Sequence, residues 1–110
     1  MNLLEQKCAH SAEALPEADI TALLPQVAGF AVHGGVLCRD FAFADYDETL
    51  AFVNALAWMV RQEDHHPELT VTYKNCIVKW QTHSAGNALT LNDFICAAKA
   101  NALYAQRCGA

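Results

Sequence analysis

Charge is scarce in this 110-residue chain: 17% of its residues are Asp, Glu, Lys or Arg, against 54% that are hydrophobic. Its seven basic residues, Lys7, Arg39, Arg61, Lys74, Lys79, Lys99 and Arg107, form no run, which argues against a nucleic-acid footprint. The net charge of -5 speaks for solubility and little else. There is no C-x-x-C motif. Five cysteines stand at 8, 38, 76, 96 and 108. An odd count at wide spacings disfavours a disulfide framework or a zinc knuckle and favours a reducing compartment. Cys38, Cys76 and Cys96 lie in apolar segments and read as small core residues; Cys8 and Cys108 read as incidental thiols near the ends. The first residues lack a basic region followed by an apolar stretch, so no signal peptide is read. The longest apolar run, Leu50 to Val60, contains Asn54 and falls well short of the ~20 residues of a membrane span. There is no G-x-S-x-G, and Gly34-Gly35 and Gly86 lack the pattern of a phosphate-binding loop. What remains is a soluble, cytoplasmic protein with enough apolar residues for a real core.

Residues 1–14 read as a loosely held N-terminal extension, and residues 15–110 as one domain. Pro16 suits the first turn of a helix with an apolar stripe of Ile20, Leu23, Leu24 and Val27. Phe30 to His33 and Val36 to Phe43 read as strands joined through Gly34-Gly35, a strong hairpin turn. Asp45 and Glu48 have capping-box spacing and open a helix to about Gln62. That helix carries two apolar stripes, Tyr46, Leu50, Val53, Ala57, Val60 and Phe52, Leu56, Met59. One sheet covers one face of a helix, so the width hints at a second copy of the chain. Leu69 to Tyr73 and Cys76 to His83 read as a second hairpin through a Lys74-Asn75 turn. Thr90 and Asp93 suggest another capping box, opening a last helix to about Gln106 with Leu91, Phe94, Ile95, Ala98 and Leu103 inward. The order α-β-β-α-β-β-α implies an α+β two-layer sandwich: a four-stranded antiparallel sheet with helices on one face.

The most informative stretch is His65-His66-Pro67, answered by His83; three of the five histidines fall here. Imidazole titrates near neutrality and both gives and takes a proton. Pro67 keeps His66 out of helical geometry, so the pair sits in a helix-exit loop. The second hairpin folds His83 back toward that loop, and Asp93 follows near the same end. Each residue has a bland reading: a strand-end His at the surface, a solvated loop pair, an Asp that caps a helix. A metal site is the sharp competitor, although adjacent histidines seldom ligate one ion and no Cys lies at ligand spacing. General acid–base chemistry on a small neutral molecule is the reading that uses all of them.

Asp64-His-His-Pro-Glu68, Tyr73, Thr82-His83 and Leu89-Thr-Leu-Asn-Asp93-Phe-Ile95 together resemble the pterin-4a-carbinolamine dehydratase family, bacterial type. The resemblance implies a four-stranded antiparallel sheet with three helices on one side, and dimers that pair into tetramers. It implies dehydration of 4a-hydroxytetrahydrobiopterin to the quinonoid dihydropterin, recycling the cofactor of aromatic amino acid hydroxylases, with no metal or organic cofactor. Carried over by position, His65 and His83 are the acid–base pair and His66 holds the pterin. Asp93 and the Thr82 backbone help fix the ring or a neighbouring histidine, and Arg61, Asp64, Pro67 and Glu68 complete the substrate contacts. Family members commonly carry a carboxylate four residues before the first histidine. Arg61 stands there instead, with Glu63, Asp64 and Glu68 as the nearby carboxylates. The second reading is a non-catalytic pterin- or protein-binding module, partnered with a hydroxylase or a transcription factor, as the family also implies.

Overall fold

The computed structural model describes residues 2–107; Cys108 lies outside them. Helix α1 (Glu17–Leu23) starts after Pro16 and tightens into a 3₁₀ turn, Leu24–Gln26, at Pro25. Strands β1 (Ala31–His33) and β2 (Val36–Ala42) meet through Gly34 and Gly35, both at positive φ. Helix α2 runs Tyr46–Glu63, and the backbone N–H of Glu48 donates to Asp45 Oδ1 at 2.8 Å, as the capping spacing predicts. Strands β3 (Glu68–Val71) and β4 (Asn75–Trp80) form the second hairpin, and α3 spans Leu91–Ala105. The sheet order is β1-β2-β4-β3, antiparallel throughout.

Alternation along β4 sets the two layers. Cys76, Val78 and Trp80 are fully buried while Ile77 and Lys79 are half-exposed, because successive side chains leave a strand on opposite faces. Leu37 and Phe41 of β2 join the buried row. Helix α2 covers it with Phe52, Leu56 and Met59, and α3 with Phe94, Ile95, Ala97 and Ala98. The α2 stripe of Tyr46 and Leu50 stays exposed, and Trp58 beside it is 68% exposed.

The structure corrects three sequence expectations. The β3–β4 turn comes one residue early. Thr72 N–H donates to Asn75 O at 2.8 Å, which puts Tyr73 and Lys74 at the corner. Tertiary bonds hold it there: Phe43 N–H to Lys74 O, Thr49 hydroxyl to Tyr73 O, and Tyr73 stacked on Tyr46. Strand β4 stops at Trp80 and does not reach His83. Thr82 N–H turns away to Ala88 O, and His83–Ala85 coil into a 3₁₀ turn closed by Gly86 and Asn87 at positive φ. Cys38 is no core residue, since it opposes Lys79 on the uncovered face of the sheet and is half-exposed.

The N-terminal segment makes definite contacts that its polar composition gave no sign of. Leu3 is 1% exposed. Cys8 N–H donates to Glu63 Oε1 at 2.9 Å, and Ala9 exchanges two hydrogen bonds with the Asn92 side chain at 2.9 and 3.0 Å.

Candidate functional site

The site is assembled where α2 ends. Asp64 caps α2 in the left-handed conformation (φ 52°), its N–H bonded to Val60 O at 2.9 Å. That turn stops the helix and sends His65-His66-Pro67 across the end of the sheet. Helix α3 begins nearby, so its first turn carries Asp93 beneath the loop. Asp93 is 0% exposed, and its two oxygens do separate work. One, Oδ1, lies 2.6 Å from His65 Nε2. The other, Oδ2, accepts from Thr82 Oγ1 at 2.8 Å and from Thr90 N–H at 2.9 Å. The cap on α3 and the contact with His65 are thus made by one carboxylate. Thr82 reaches Asp93 through its hydroxyl, while its backbone N–H donates to Ala88 O.

An ionised carboxylate only accepts hydrogen bonds, so His65 Nε2 carries the proton. That leaves Nδ1 as the ring nitrogen of His65 that Asp93 does not engage. Trp80 fixes the ring plane, stacking on His65 at 5.7 Å between centroids and 9° between planes. Sequence reasoning missed Trp80 as a support. Its signal was the β4 alternation, which turns it inward, away from Lys79. At His83, Nδ1 lies 2.8 Å from Asn87 Oδ1. The carboxamide oxygen accepts, so Nδ1 is the protonated nitrogen and Nε2 keeps its lone pair. Asn87 is a second support that the sequence showed only as part of a turn.

The three imidazoles do not line one recess. His66 and His83 share a pocket of about 170 Å³ with Val36, Glu68, Lys79 and Gln81. His65 lines an adjoining one of about 290 Å³ together with Asp64, Thr82, Ser84, His10 and Asn92. His65 and His66, adjacent in the chain, thus line different recesses. Pro67 is half-buried between His66 and the start of β3. Arg61 is exposed on the last turn of α2 and is not among the residues of either recess.

Of the carboxylates near Arg61, Glu63 is already engaged. It holds Lys99 Nζ at 2.6 Å and the Cys8 amide. Burial works against its charge, but the Lys99 and Cys8 hydrogen bonds outweigh it and hold the carboxyl below its usual range. Asp64 and Glu68 remain, one in each recess, with Glu68 in an exposed ion pair 3.7 Å from Lys79 Nζ. Among the described residues no group of three or more His, Cys, Asp or Glu side chains is placed to hold a metal ion. Cys76 is no activated nucleophile, since burial, with some help from Asp40, pushes its thiol up to about 11. Among the described residues no helix is long and apolar enough to cross a membrane.

A sequence profile described as pterin 4 alpha carbinolamine dehydratase matches residues 13–103. A protein of Chromobacterium violaceum, provisionally named pterin-4-alpha-carbinolamine dehydratase, is 48% identical over 106 residues, covering 94% of this chain and 97% of its own. One from Xanthomonas euvesicatoria pv. vesicatoria with the same provisional name is 56% identical over 94 residues, 84% of this chain and 79% of its own. Among solved structures, a transcriptional coactivator/pterin dehydratase from Brucella melitensis superposes with a TM-score of 0.78 at 31% identity, over 83% of this chain and 98% of that one.

Proposed function

The chain belongs to the pterin-4a-carbinolamine dehydratase family, and on that premise we propose that it dehydrates 4a-hydroxytetrahydrobiopterin to the quinonoid dihydropterin by histidine acid–base catalysis. The observation that carries this reading is the buried Asp93 carboxylate 2.6 Å from His65 Nε2. The carboxylate engages Nε2 and leaves Nδ1 of His65 as the ring atom that meets the substrate. His83, with its Nε2 lone pair left open by Asn87, is the complementary base.

The pterin lies between the two recesses. His65 protonates the 4a-hydroxyl as the C4a–O bond breaks and water leaves. His83 accepts the N5 proton, and the N5 lone pair closes the C4a=N5 double bond. Proton exchange with solvent resets both rings. His66 and Glu68 bind the ring from one recess, and Asp64 and the Thr82 segment from the other, with Pro67 fixing the loop. Asp64 or Glu68 takes over the carboxylate role at the amide-like edge of the pterin that Arg61 does not fill. The proposal includes a homodimer or homotetramer that buries the exposed α2 stripe, and an aromatic amino acid hydroxylase as the source of the carbinolamine.

The test uses freshly made carbinolamine and measures water loss against the spontaneous rate. His65→Ala and His83→Ala are each expected to lower turnover by at least about tenfold with the fold intact. Wild-type rates in both variants would reject the assignment. Arg61 favours the second reading, a non-catalytic pterin- or protein-binding module. That reading requires binding with no turnover when protein is substoichiometric to substrate.

A further inference from the structure

Two thiols separated by most of the chain meet beside the candidate site. Cys8 Sγ lies 3.5 Å from Cys96 Sγ, and 3.7 Å from the Asn92 carbonyl oxygen. Cys96 is fully buried in α3, and Cys8 is half-exposed in an irregular segment. Cys8, Ala9 and His10 form one wall of the recess that holds His65. This wall precedes residues 13–103, the region matched by the family profile. Hydrogen bonds of Cys8 N–H to Glu63 and of the Ala9 backbone with the Asn92 side chain hold it against the ends of α2 and α3. Cys38 and Cys76 stand apart, on β2 and β4.

We propose that Cys8 and Cys96 are a disulfide-forming pair whose oxidation latches this N-terminal strap onto α3. The oxidant is a low-molecular-weight disulfide, RSSR. The exposed partner reacts first: the Cys8 thiolate attacks one sulfur of RSSR, the S–S bond breaks, and RS⁻ leaves. Cys96 sulfur then attacks Cys8 sulfur as its proton departs, and the second RS⁻ is expelled. The two cysteines lose two electrons and two protons, and RSSR is reduced to two RSH. The order follows from the surroundings. The hydrogen bond with Cys8, burial, and the nearby Glu63 and Asp93 charges all raise the Cys96 thiol far above the ordinary cysteine range, so it waits as the resolving partner. Bond formation brings the sulfurs to about 2.05 Å. The irregular chain at Cys8 supplies that movement, since Cys96 is fixed in a helix.

The experiment treats the folded, reduced wild-type chain with oxidised glutathione, quenches in acid, alkylates free thiols and maps the peptides. The expected product has lost two hydrogens from its intact mass, contains a Cys8–Cys96 cross-linked peptide, and reverts with dithiothreitol. Its thermal midpoint rises by on the order of 10 °C, because the bridge closes a loop of most of the chain. Amide exchange at Ala9 slows by at least about tenfold. A product that stops at the Cys8–glutathione mixed disulfide overturns the proposal. So does a bridge to Cys38, Cys76 or Cys108, full retention of free thiols, or unchanged exchange at Ala9. The mapping is done on the wild-type chain and needs neither a folded variant nor pterin turnover.

Discussion

Replacing Asp93 with Asn keeps the size of the side chain and changes one atom from acceptor to donor, and the surroundings dictate where that atom goes. The Thr90 backbone N–H, 2.9 Å from Oδ2, only donates, and both Thr90 and Asp93 are 0% exposed. The introduced amide N–H₂ cannot face it without leaving two buried donors opposed. The carboxamide oxygen therefore takes the Thr90 and Thr82 side, and the N–H₂ group takes the His65 side, where the parent carboxylate lies 2.6 Å from Nε2. His65 must then accept at Nε2 and hold its single proton on Nδ1. The tautomer is inverted and the charge-assisted bond from the His65 N–H to the carboxylate is gone. Such a bond contributes roughly 1.5–3 kcal/mol, and about 1.36 kcal/mol is a factor of ten in rate. Turnover should fall about ten- to hundredfold while the fold survives. ¹⁵N-resolved NMR of the His65 ring reads the tautomer, and the carbinolamine assay reads the rate. An unchanged tautomer with wild-type turnover would show that the Asp93–His65 contact is structural decoration and does not set the acid.

Glu63→Gln should cost about 1–3 kcal/mol at neutral pH, because it strips the counter-charge from a mostly buried Lys99. The folded-state pKa of Glu63 lies below the usual 4.5, so this stabilisation is complete above pH 4.5 and is lost as pH falls through the folded value. Urea denaturation of both proteins across that range should show the two converging in acid; a gap independent of pH would contradict the assignment. Gly29→Ala should destabilise by about 1–3 kcal/mol, since Gly29 sits at φ +85° and a Cβ there would lie 2.6 Å from Arg39 Nε. Arg39 cannot easily yield, being held by Ala28 O and Asn101 and stacked over Phe41 and Tyr104. A wild-type thermal midpoint for this variant would count against that account.

Much of the layer architecture was legible because it is written in local periodicity. Cys76, Val78 and Trp80 alternate with Ile77 and Lys79, and Asp45 and Thr90 stand where caps stand. The Gly34-Gly35 pair has the backbone freedom that a tight hairpin needs. Local rules misplaced the Tyr73-Lys74 turn by a residue, because bonds from Phe43 and Thr49 outweigh the turn preference of Asn75. They also carried β4 too far, because nothing in the run from Trp80 to His83 shows that Thr82 will bond to Ala88 and Asp93.

The chemical types at the candidate site follow from the order of residues alone: paired imidazoles ahead of a proline, a third imidazole after the next hairpin, an acid opening the last helix. Their protonation and supports do not. That Asp93 meets His65, that Trp80 stacks beneath it, and that Cys8 lies against Cys96 are relations between segments up to 88 positions apart. Short-range patterning specifies which face a side chain leaves by. The packing of α2 and α3 on the sheet settles which side chains come within bonding distance, because partners distant in the chain are chosen by the shape of the whole core.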